Sequence, residues 1–213
     1  MTNNNWLSTA LWLSIITIAY NIAEGLVSVY FGSSDDTLVL LGFGVDSFVE
    51  VISGIGILHM VLRMRHSEIS EHDKFERLAL RITGFSFMLL TLGLITGSIL
   101  KLLAKSTPET TLPGILIASI SIITMYFLMN YKLKTGKALN SEAIISDAHC
   151  TKTCLYLSFI LLISSILYEF LKINYIDIAG SLGIAWYAFS EGRESLEKAR
   201  KNQLSCDCSG KCH

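Results

Sequence analysis

Residues 37–62, TLVLLGFGVDSFVEVISGIGILHMVL, are almost wholly apolar or small, yet they carry Asp46 and Glu50 near their middle. A helix crossing a bilayer needs about 20 mostly apolar residues, and this run is long enough to cross. Asp46 and Glu50 stand four apart, so a helix puts both carboxylates on one face. An ionisable side chain at mid-membrane costs about 2.5–3.5 kcal/mol on insertion scales. A pair of them needs partners or a function.

Five further runs of the same kind lie at 6–31, 78–103, 112–131, 141–170 and 175–189, with short polar gaps between them. The chain has 213 residues, of which 51% are hydrophobic and only 16% charged, and its mean hydropathy is positive. A soluble domain carries about 25% charged residues. The pattern predicts an all-α, polytopic membrane protein of six transmembrane helices spanning 1–192, followed by a Cys-rich tail at 193–213 too short to bury a core. The first run has no basic flank and a long apolar stretch, so a retained helix is expected rather than a cleaved signal peptide. Pro108 and Pro113 bracket the start of the fourth run, where a missing N–H costs nothing.

The basic residues set the orientation. Arg63, Arg65, Lys74, Arg77, Arg81, Lys132, Lys134, Lys137 and the five after residue 192 fall on one side, and Lys101, Lys105 and Lys172 on the other. The positive-inside rule then places the N and C termini in the cytoplasm, and a plasma (inner) membrane is the expected location. Nothing in the chain reads as a nucleotide-binding glycine motif or a nucleophile elbow, so neither an enzyme, a prosthetic group nor a nucleic-acid partner is expected.

The fifth run adds Asp147, Cys150 and Cys154, spaced i, i+3, i+7 on one stripe, with His149 and Lys152 on flanking faces; the first run adds Asn21 and Glu24. Two carboxylates at i, i+4 facing two thiolates at i, i+4 supply four ligands. That set suits tetrahedral Zn2+-like coordination, softened by sulfur toward Cd2+. The competing structural reading has the carboxylates protonated or paired with Lys152, and the cysteines serving as small apolar residues. For Asn21 and Glu24 the competing reading is helix-packing glue.

At these residues the sequence resembles the cation diffusion facilitator family of proton-coupled metal transporters. The likeness runs through Asn21-x2-Glu24-Gly25, Leu41-Gly42-Phe43-Gly44-Val45-Asp46-Ser47-Phe48-Val49-Glu50, Arg81-Ile82-Thr83-Gly84, Ser141-Glu142-Ala143, Asp147-Ala148-His149-Cys150-Thr151-Lys152-Thr153-Cys154 and Asp177-Ile178-Ala179-Gly180. The resemblance implies export of a divalent ion by alternating access, driven by protons. It maps the acidic transport pair onto Asp46 and Glu50. The usual H-x3-D pair falls on Cys150 and Cys154, a departure that puts both metal preference and proton coupling in question. Asp147, His149 and Glu24 become supporting or proton-handling candidates. The family's usual C-terminal cytoplasmic domain has no counterpart here, so the short form is expected.

Other features stay open. Gly93-x3-Gly97 allows close helix approach, either within one subunit or in a homodimer. In the loop after the second run, His66, Glu68 and His72 form either an accessory metal site of the kind some family members have or a solvated charged loop. Cys206, Cys208, Cys212 and His213 form either a soft-metal tail or free thiols, a disulfide framework being disfavoured in a reducing compartment. Rival functions are a membrane thiol-disulfide oxidoreductase on Cys150 and Cys154, opposed by Cβ atoms about 5–6 Å apart at i, i+4, and a non-transporting metal sensor.

Overall fold

Each apolar run folds as an α-helix. The computed structural model describes residues 3–34, 38–66, 72–104, 112–171 and 176–201. They form α1 (Asn3–Ser34), α2 (Leu38–His66), α3 (His72–Ala104), α4 (Leu112–Leu139), α5 (Glu142–Leu171) and α6 (Ile176–Lys201). Among the described residues, four of these contain segments long and apolar enough to cross a membrane: Asn5–Ser33, Phe43–Arg65, Asp73–Leu100 and Gly114–Leu139. At 1.5 Å per residue, the 33 residues of α3 reach about 50 Å against a hydrocarbon core of about 30 Å. The helices therefore overrun their apolar runs, and the overrun carries polar groups expected in loops.

The bundle buries many polar side chains beside its apolar clusters and leaves many large apolar ones outside, unlike a soluble domain. On α1 the buried stripe is Ser14, Thr17, Asn21, Glu24 and Ser28, while Trp12, Ile16, Leu26 and Tyr30 face outward. α4 repeats the arrangement, exposing Ile120, Ile123, Tyr126 and Phe127. Only a surrounding of lipid makes that distribution favourable.

Helix contacts run round a ring in the order α1, α2, α3, α6, α5, α4 and back to α1, with α2 also meeting α5 across it. Glycine permits the α1–α2 crossing: a Cβ on Gly44 would stand 2.8 Å from Val29 and 3.1 Å from the Gly25 carbonyl. The α4–α5 corner is set by local chemistry. Asn140 takes φ 50°, and Ser141 N–H donates to the Gly136 carbonyl at 3.0 Å while Asn140 N–H donates to Lys137, the Schellman closure of a helix. Ser141 then caps α5 by accepting from Ile144 N–H at 3.4 Å, and Glu76 of α3 accepts from Ala143 N–H at 3.3 Å. This short corner fixes α4 against α5 and so sets what faces the polar stripe of α5.

Candidate metal site

Asp46, Glu50, Cys150 and Cys154 all point into the bundle, where α2 faces α5, and none is more than 3% exposed. The Cys154 thiol hydrogen-bonds the Asp46 carboxyl. The Cys150 thiol lies within electrostatic reach of Glu50, Asp147, Asp46 and Lys132. Both cysteines are free thiols. Among the described residues, Asp46 Oδ1 and Glu50 Oε2 are buried without a hydrogen-bond partner. In this arrangement no three His, Cys, Asp or Glu side chains among the described residues converge tightly enough to hold a metal ion.

A cation from α4 occupies the same interior. Lys132, read from sequence as a loop residue, sits inside that helix and is 1% exposed. Its ammonium donates to Asp147 Oδ2 at 2.8 Å, to Thr151 Oγ1 at 2.8 Å and toward Glu50 Oε1 at 3.5 Å. The Thr151 hydroxyl in turn donates a hydrogen bond to the same Glu50 oxygen. Ser53 of α2 donates to the remaining Asp147 oxygen at 2.6 Å and contacts Thr83 of α3 at 3.0 Å. The structural partner expected of Lys152 is thus supplied by Lys132. Lys152 instead stands over the rings of Tyr156 and Tyr187, 5.6 and 5.5 Å from their centroids.

Sequence reasoning missed Lys132, though a signal exists. It falls in phase with Ser121, Met125, Leu128 and Thr135, the buried stripe of α4, while exposed Lys134 and Lys137 do not.

Glu24 is buried and satisfied. Tyr20 donates to its Oε1 and Ser47 of α2 to its Oε2, each at 2.9 Å, so it ties α1 to α2 beside Asp46. Asn21 donates to the Thr17 carbonyl at 3.0 Å, and its Oδ1 is unpartnered among the described residues. His149 turns away from the carboxylate pair, and its Nδ1 lies 2.6 Å from Glu191 of α6. Beyond the last predicted span, Glu191 is pushed up by burial but held below the usual carboxylate range by its contact with His149. The side chains of His66 and His72, all of Glu68, and the tail residues Cys206, Cys208, Cys212 and His213 lie outside the described residues.

A family model for the cation efflux transmembrane domain matches residues 10–202. An uncharacterized transporter of Methanocaldococcus jannaschii is 27% identical over 183 residues, covering 82% of this chain and 64% of the relative. Transmembrane protein 163 of Xenopus laevis is 25% identical over 181 residues, covering 84% and 63% respectively. The manganese efflux system protein MneP of Bacillus subtilis is 24% identical over 142 residues, covering 64% and 47%. The chain therefore spans just under two thirds of the first two relatives and about half of the third. With nearly its whole length matched by the family's transmembrane domain, the chain belongs to the cation efflux family, the cation diffusion facilitators.

Proposed function

We propose that the protein exports a divalent metal ion across the membrane and that Asp46, Glu50, Cys150 and Cys154 are the ligands. One observation carries the reading: two carboxylates of α2 and two free thiols of α5 are buried together, with an oxygen of each carboxylate unpartnered among the described residues. Buried polar atoms without partners are costly, and a divalent ion satisfies both at once. Closure on the ion takes the free Oε2 of Glu50 while Oε1 stays with Lys132 and Thr151, and it requires the Cys154 thiol to give up its hydrogen bond to Asp46.

The ligand chemistry favours Zn2+ and Cd2+. The relative MneP is named for manganese efflux, but thiolates select softer ions than carboxylates do. Each ligating cysteine must also give up its proton, so loading the ion releases protons and unloading takes them back. That supplies proton antiport by alternating access without a histidine among the ligands.

Six crossings with both termini cytoplasmic, in the plasma membrane, complete the reading. Gly93 and Gly97 of α3 have nothing within 4 Å of where a Cβ would stand, which leaves that face for a second copy of the chain. The test is flux of a panel of ions into proteoliposomes. Movement of Cd2+ and Zn2+ that drops in Cys150→Ala supports the proposal; a correctly inserted protein that moves no divalent ion overturns it.

A further inference from the structure

Lys132 is the buried charge that the transport reading leaves without a task. Taking an ammonium out of water is costly, and its contacts exceed what neutralising one aspartate needs. The ammonium is anchored on Asp147 at 2.8 Å and also grips Thr151 at 2.8 Å, whose hydroxyl ends on Glu50 Oε1. Glu50 Oε1 itself lies 3.5 Å from Lys132 Nζ. Both routes from the lysine end on one oxygen of a proposed ligand.

The geometry points to Lys132 as a tethered cation that competes with the transported ion for Glu50. The inference rests on the metal-transport reading above. An ion that takes the free Oε2 of Glu50 shares the carboxylate with an ammonium that faces its other oxygen. Because Asp147 holds the lysine in place, its positive charge stays beside the site and opposes the ion's own. Affinity is thereby kept low enough for release, which conduction through a binding site requires. Lys132 is then a positioning residue acting through Glu50, with Asp147 and Thr151 setting its reach.

The test is equilibrium Cd2+ binding and Cd2+ flux by the purified full chain, with Cys206→Ser, Cys208→Ser and Cys212→Ser throughout so that only the buried thiols report. Lys132→Gln is expected to bind Cd2+ more tightly, on the order of 10- to 100-fold, and to turn over more slowly at saturating metal. Lys132→Arg keeps the charge and should stay near the parent in both. Damage to packing alone moves affinity the other way. Should Lys132→Gln fail to fold with Asp147 left uncompensated, the double change Lys132→Gln with Asp147→Asn removes both charges and decides by the same tightening. Unchanged or weaker affinity in the folded variant overturns the tethered cation. If the parent binds no metal, or Cys150→Ala binds as the parent does, the ligand assignment falls first and this inference with it. If those controls hold and the lysine variants do not tighten, the inference alone fails.

Discussion

The Lys132 ammonium of α4 and the Asp147 carboxylate of α5 meet at 2.8 Å in the interior of the bundle. The corner at Asn140 and Ser141 sets the two helices side by side, and Ser53 of α2 takes the other Asp147 oxygen. Asp147 therefore decides how much of the lysine is left for Glu50. In Asp147→Asn the ammonium loses its closest anion and turns to Glu50, so Cd2+ affinity should fall about tenfold or more. Calorimetric titration of the folded variant checks this; an affinity equal to the parent's contradicts the arrangement.

A second prediction concerns selectivity. Cys150→His combined with Cys154→Asp keeps four ligands but makes them harder. Preference should shift from Cd2+ toward Zn2+ by roughly 10- to 100-fold. Competition binding with the two ions measures it. An unmoved ratio in a folded protein means that neither thiol touches the ion.

Much of this was legible in the sequence. The apolar runs gave all six helices because lipid-facing helices need unbroken apolar length, and the i, i+4 spacing put Asp46 with Glu50 and Cys150 with Cys154 on shared faces. Lys132 was hidden by its position, just past the last apolar residue of its run, where a lysine ordinarily snorkels to the interface. Only the phase of the α4 stripe places it inside. Thr151 and Ser53 were missed because a hydroxyl in a membrane helix usually satisfies itself on its own backbone. Their partners lie far away in sequence, and spacing carries no information about them.

The third prediction concerns pH. Glu191 is held below its ordinary range by His149, so its contribution to stability is present above the unfolded value of about 4.3 and is lost as pH falls through the folded value. Glu191→Gln should lower the Tm near pH 7, and the gap to the parent should close as pH drops below about 4. A gap that is constant with pH would mean that the Glu191 carboxylate's contact with His149 does not contribute.

The fourth prediction concerns orientation. With buried Lys132 set aside, twelve lysines and arginines assigned to one side against three on the other lead us to expect both termini in the cytoplasm. An impermeant thiol reagent applied to sealed right-side-out vesicles should fail to label Cys206 and should label it after permeabilisation. Ready labelling from outside reverses the topology.

The central claim is that a divalent ion is held by Asp46, Glu50 and the two thiols of α5. The most direct measurement is the Cd–thiolate charge-transfer absorption of the purified protein truncated after Leu204, which removes the tail cysteines and leaves Cys150 and Cys154. A saturable band is expected in the parent and is lost in Cys150→Ala, along with tight binding. A folded Cys150→Ala protein that binds Cd2+ as the parent does, with the band unchanged, would contradict it.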